Sequence, residues 1–184
     1  MSETNQKLLF LATKHFDANA SIRGAFLLTD ENTKPIEFRC TNPIRPTQLQ
    51  TMLYGDILKD HILIELIGEP LIKTLKEMPD IILVAEPEFL ALRAKVNAPV
   101  VLIAKDEQII AVGGNQSDFQ MLSSGSGQFE PIVFTTNDEF PQDRLAMKDV
   151  LTEIFNKNNL IEPFTRIASA LEQVHIQKIG EMKE

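Results

Sequence analysis

Tryptophan is missing from the 184 residues, and tyrosine and cysteine occur once each against eleven phenylalanines. A single thiol, Cys40, excludes an intramolecular disulfide and any zinc site built from several thiolates. It fits a reducing compartment, so a cytoplasmic location is expected. The scarcity of Trp and Tyr leaves little material for stacking bases. Basic residues are the minority, 18 Lys and Arg against 26 Asp and Glu, giving a formal charge of -8. Such a field repels phosphate backbones and anionic lipid surfaces, and the expectation is no nucleic-acid partner and no membrane partner. No apolar stretch approaches the ~20 residues of a membrane span. The run at 8–12 is too short and wrongly flanked for a secretory signal.

What is present is an average soluble composition, 43% hydrophobic and 24% charged. The length fits one domain at roughly 100–200 residues per domain. A separable amino-terminal lobe, 1–78 against 79–184, is the alternative division, although only Met78-Pro79-Asp80 stands between the two.

Residues 4–16 read as a short amphipathic helix capped by Thr4 or Asn5, with a strand at 8–12 as the second choice. Residues 22–29 and 35–41 flank the turn-forming Asp30-Glu31-Asn32-Thr33-Lys34 and predict a β-hairpin. Period-two alternation there turns Ile36, Phe38 and Cys40 inward. Two prolines make 42–46 a rigid connector. Thr47 then caps a helical pattern carrying Leu49, Met52, Leu53, Ile57, Leu58, Ile62, Leu66 and Ile67, bent at Gly55 and restarted by Pro70. The nearly all-round apolar stretch at 62–67 suits a helix buried between layers or at a subunit contact.

The β-branched run at 81–85, the helical 86–96 and the apolar run at 100–104 predict a right-handed βαβ unit with parallel strands. Residues 109–112 are expected to be the antiparallel partner of the second strand, followed by a glycine-rich loop at 113–128 and a strand at 132–136. Helices follow at 142–156 and 161–179, with Leu145, Val150, Leu151, Ile154 and Phe155 on the apolar face of the first. The expected class is α/β or α+β. It consists of a mixed five- or six-stranded sheet with a βαβ unit, an N-terminal β-hairpin, helices packed on the sheet and a C-terminal helix pair.

Three groups of residues could carry chemistry. Glu37, Cys40 and His61 are candidate catalytic residues, since a thiol nucleophile needs a base and an electropositive setting, which His61, Arg39 or Arg45 would provide. Tyr54 lies in the same stretch. The plainer reading is a small buried cysteine with solvated arginines. Gly113, Gly114, Asn115, Ser124 and Gly125 form a candidate anion-binding loop, with Arg39, Arg45 and Tyr54 as further ligand-binding candidates. Neither GxGxxG nor GxxxxGK[ST] is present, and a mobile connector has the same composition. Asp138, Glu139 and Asp143, or Glu86 and Glu88, follow strands where a hard cation is sometimes held, but helix capping accounts for the first three. The scattered histidines form no HxH or HExxH pair, and no metal or cofactor is assigned. With no catalytic signature, the expectation is a non-catalytic binding or oligomerising module, acting as a homo-oligomer or on a protein partner. The alternative is a small-molecule enzyme or sensor that takes a small anionic ligand at the 113–127 loop.

Overall fold

A computed structural model of the chain describes residues 5–109, 111 and 115–179. It is a mixed α/β fold around one seven-stranded sheet in the order β3-β2-β1-β4-β5-β7-β6. The strands are β1 (Leu8–Phe16), β2 (Ser21–Thr29), β3 (Pro35–Cys40), β4 (Ile81–Val84), β5 (Val100–Lys105), β6 (Gln120–Leu122) and β7 (Ile132–Thr136). β1 runs antiparallel to β2 and parallel to β4, and β4 runs parallel to β5.

The amino-terminal segment is therefore a strand and not a helix. Apolar residues at consecutive positions suit a strand buried on both faces, and β1 is such a strand. Leu8, Phe10 and Ala12 enter one core cluster and Leu9 and Leu11 the other. The proposed cap Thr4 lies outside the described residues. The β2–β3 hairpin and the β4–β5 unit form as expected, but of the residues expected to face inward on β3 only Cys40 packs on the core, while Ile36 and Phe38 on this edge strand are exposed. The antiparallel partner of β5 is β7, not 109–112, of which Ile110 and Val112 lie outside the described residues. A short strand inside the glycine-rich segment, β6, pairs with β7. With β1 and β6 added and no strand at 109–112 among the described residues, the sheet has seven strands.

One face of the sheet is covered by α4 (Pro141–Lys157) and α5 (Glu162–Ile176), through Met147, Leu151, Ile154, Phe155, Ile167 and Leu171. Leu145, expected on that apolar face, is instead 77% exposed. The other face is covered by irregular helical turns. Thr47 caps α1 (Gln48–Tyr54), accepting from the Gln50 N–H at 3.1 Å, while the Gln50 side chain accepts from the Thr47 N–H at 2.9 Å. A 3-10 turn at Gly55–Ile57 and α2 (Leu58–Asp60) follow. The chain then widens into a π-helix, His61–Gly68, before α3 (Glu69–Lys73).

The π segment buries Ile62, Leu63, Ile64 and Ile67 against the sheet, together with Phe89 and Leu92 from the 3-10 helix Pro87–Lys95. Its contact with β2 is close: a Cβ on Gly24 would lie 2.1 Å from Ile67 Cγ2, so only glycine lets the helix approach this far. Among the described residues no helix is long and apolar enough to cross a membrane.

Candidate functional site

β1 leads to β2 on one side of the sheet, while β4 leads to β5 on the other. The carboxyl ends of these two adjacent parallel strands therefore bound a topological switch point, where α/β sheets leave a crevice. A cavity of about 680 Å³ opens there. Thr13 and His15 from β1, Ser21 from β2, Asp56 and Lys59 from the helical segment, and Glu86 just beyond β4 contribute its polar groups. Ile22, Leu58, Ile62 and Leu63 make the rest largely apolar.

Glu86 is the centre of this site. Its Oε1 accepts from the Thr13 N–H at 2.8 Å and from the Thr13 hydroxyl at 2.5 Å. Its Oε2 is enclosed and has no hydrogen-bond partner. Burial pushes the carboxyl up to about 7, against the pull of the two Thr13 hydrogen bonds, and the nearby Glu88 charge adds to the rise. Lys59 pairs with Glu88 at the cavity's edge.

A second network braces the wall on the β2 side. Asp17, Ala18 and Asn19 have φ of 53°, 52° and 69°, three successive left-handed residues in the β1–β2 turn. Asp17 accepts from the Ser21 hydroxyl at 2.8 Å and pairs with His175 Nε2 at 3.1 Å and with Arg45 at 3.4 Å. The fully buried Arg23 donates through Nε to His175 Nδ1 at 3.2 Å and through a terminal nitrogen to the Thr41 carbonyl at 3.1 Å. Since Nδ1 accepts, the proton sits on Nε2 and points at Asp17. Phe16 stacks on the same imidazole at 4.0 Å. The far end of α5 thus holds the turn whose Asn19, Ala20 and Ser21 line the cavity.

The residues singled out from the sequence are dispersed. Cys40 packs against the core face covered by α4 and α5, whereas the segment opened by His61 packs on the opposite face. Burial raises the Cys40 thiol, with the Arg23 charge opposing, which disfavours the thiolate. His61 meets Glu65 at 3.0 Å, and its ring lies 4.5 Å from that of Tyr54. Arg39 pairs with Glu37 at 2.6 Å and holds that carboxyl below its usual value. Arg45, Tyr54 and His61 do share one small hollow of about 110 Å³.

In the glycine-rich segment, Gly113 and Gly114 lie outside the described residues. Asn115 precedes a short 3-10 turn. Gly125 donates its N–H to Asn156 at 2.7 Å, and Ser124 closes a turn onto Phe129. These backbone donors are spent on the protein itself. Asp143 pairs with Arg93 at 2.5 Å, Asp138 pairs with Arg144, and Glu139 donates its backbone N–H to Asn137. Among the acidic candidates Glu86 and Glu88 each keep an enclosed oxygen without a partner, Glu86 at the 680 Å³ cavity and Glu88 at a second hollow of about 430 Å³ that Asp138 also lines. Thr13, His15 and Lys59 went unrecognised because a helix drawn at 4–16 does not bring Thr13 beside Glu86. The continuous apolar run ending at Ala12 was the available signal of a central strand.

No protein-family model and no curated protein sequence matches the chain. Among solved structures, the crystal structure of human ENDOV is similar over 97% of this chain and 87% of its own, at 16% identity and a TM-score of 0.51. Endonuclease V of Bacillus subtilis covers 84% of each chain at 14% identity and a TM-score of 0.43. Ciona intestinalis endonuclease V, in complex with a 24mer DNA containing an inosine followed by a ribo-adenosine, covers 74% of this chain and 73% of its own. It is 12% identical, with a TM-score of 0.42. The first of these likenesses places the fold beside that of an endonuclease and corrects three expectations. These are the non-catalytic binding or oligomerising module, the homo-oligomer or protein partner, and the exclusion of nucleic acid. Net charge sums the whole surface, so it does not decide what one cleft can hold. A site assembled from separate strands leaves no short motif.

Proposed function

We propose that the protein is a nucleic-acid-processing enzyme whose substrate enters the cavity at the carboxyl ends of β1 and β4. The observation that carries this reading is Glu86. It is a carboxyl raised to about 7 at the wall of a 680 Å³ cavity, in a fold shared with human ENDOV. A group that changes protonation near neutrality is suited to general acid–base work. The cavity's size and its few polar groups on apolar walls suit one unstacked nucleotide unit rather than a duplex. Lys59 and His15 place basic groups at the same opening. The chain works as one domain in this reading, because the site draws on β1 and β2 as well as on Glu86. A reducing, cytoplasmic setting suits Cys40.

The test is fluorescence anisotropy of labelled single-stranded and duplex oligonucleotides at low salt, with gel analysis of the products. Single strands are expected to bind more tightly than duplex, and Lys59→Ala should weaken binding severalfold. Equal and negligible binding of all probes, unchanged by Lys59→Ala, would sink the proposal.

A further inference from the structure

Phosphodiester cleavage by paired divalent cations requires several carboxylates from different elements to converge on ions about 3.5–4 Å apart. The strand register shows what this chain offers instead. Leu11 pairs with Val84, and Val84 with Leu102. Two residues further on, the next row across the strand ends holds Thr13, Glu86 and Ala104: a hydroxyl, one carboxyl and a methyl. The Thr13 hydroxyl and N–H both point their protons at Glu86 Oε1, so the lone pairs of that oxygen are already taken, and Oε2 is enclosed. Glu88 is turned to Lys59. Among the described residues no group of three or more His, Cys, Asp or Glu side chains is placed to hold a metal ion. The donor set does not fit a metal pair.

We propose, resting on the reading above that nucleic acid enters this cavity, that the site dispenses with divalent cations and that Glu86 is held there uncharged. The enclosed Oε2, which has no donor to stabilise a charge, is the atom that carries the proton. A neutral carboxyl leaves the cavity wall without the charge by which a carboxylate would repel the strand. The charged groups around it are Glu88 and Lys59, with Lys14 and His15 of β1 and Asp56 of the helical segment lining the same cavity. Burial, which raises the Glu86 carboxyl to about 7, keeps a large neutral fraction at physiological pH.

The test uses the full chain. Titration with Mn²⁺ followed by calorimetry is expected to show no saturable uptake. Single-strand affinity should be the same in EDTA and in millimolar Mn²⁺ to within about twofold. Affinity should fall as pH rises through 7, and Glu86→Gln should flatten that fall. His15 is present in both proteins, so the difference isolates Glu86. Thr13→Asp, which supplies the second carboxylate, should acquire Mn²⁺ uptake. Stoichiometric Mn²⁺ uptake by the parent chain that Glu86→Gln abolishes, or binding that requires Mn²⁺, overturns the proposal. If no oligonucleotide binds in any buffer, the functional reading above fails, while the Mn²⁺ titration still decides the question of the metal.

Discussion

On one face of the sheet lie two regular helices, α4 of 17 residues and α5 of 15, whose apolar rows fill a continuous core. On the other face the chain passes from α to 3-10 to π geometry between Gln48 and Lys73, then forms a 3-10 helix at Pro87–Lys95. Both faces bury large side chains, yet the 680 Å³ cavity opens on the irregular one, while the hollow beside the α4–α5 junction is about 430 Å³. Regular helices pack at a fixed spacing and fill the space between them. Each change of helical geometry rotates the following side chains relative to those before, so one side of the segment cannot face the sheet throughout. α1 buries no residue at all, and Leu49, Met52 and Leu53 stand exposed. The regular face supplies a continuous core, and the irregular face leaves the larger cavity open.

The sharpest way to break this comparison is a pair of core truncations. Phe155→Ala should destabilise by about 3–5 kcal/mol, the usual range for deleting a buried aromatic, and lower the melting midpoint by roughly 10 °C. Ile67→Ala, under the π segment, is expected at about 2–3 kcal/mol, because an irregular segment next to a cavity relaxes into the space. Chemical denaturation of both variants decides the matter, and equal losses would mean that the two faces are equally rigid.

Asp143→Ala should destabilise by about 3 kcal/mol, since it leaves the largely buried Arg93 without its carboxylate. Asp143→Asn, which keeps an acceptor, should recover part of that loss in the same denaturation experiment.

Titration of the cavity is the third expectation. The folded Glu86 binds its proton more tightly than the unfolded chain, about 7 against 4.5, so the native state holds more protons between those values. Stability should therefore fall as pH rises from 4.5 to 7 and level off above it. The drop from this group is roughly 3 kcal/mol. Subtracting the stability profile of Glu86→Gln from that of the parent chain isolates it, and a difference that rises with pH contradicts the assignment.

The smallest effect is expected at the α1 cap. Thr47→Ala removes a hydrogen bond ordinarily worth about 1 kcal/mol to a helix. Because α1 contributes nothing to the core, the loss should appear as faster proteolysis between Thr47 and Gly55, with the global melting midpoint unchanged.

The fold was legible where one element's pattern decides its type. The β2–β3 hairpin, the parallel β4–β5 unit, the Thr47 cap and the two carboxyl-terminal helices follow from alternation, β-branched runs, capping chemistry and 3.6-residue periodicity. β1 failed because an apolar run without clear period fits a helix or a doubly buried strand until its neighbours are known. β6 failed because a three-residue edge strand among serines and glycines has no pattern of its own. The site was less legible than the fold. Glu86 stood out only as one acid after a strand, and its meaning depends on Thr13, 73 residues away in sequence. The π geometry of His61–Gly68 has no compositional mark beyond its apolar density, and the buried Arg23 reads from sequence like any surface arginine.

Gly24 has one further consequence. Because the wide helix rests directly on the backbone of β2 there, the height of the segment whose first turn, Ile62 and Leu63, lines the cavity depends on the absence of a side chain beneath Ile67. A methyl group at this position would act as a wedge, tilting the segment away from the sheet and changing the aperture without touching any polar group inside it. The pairing of a glycine on the second strand with a β-branched residue about 43 positions later is also a signature that can be sought in other chains. It would recover molecules with this architecture even where the groups lining the cavity differ.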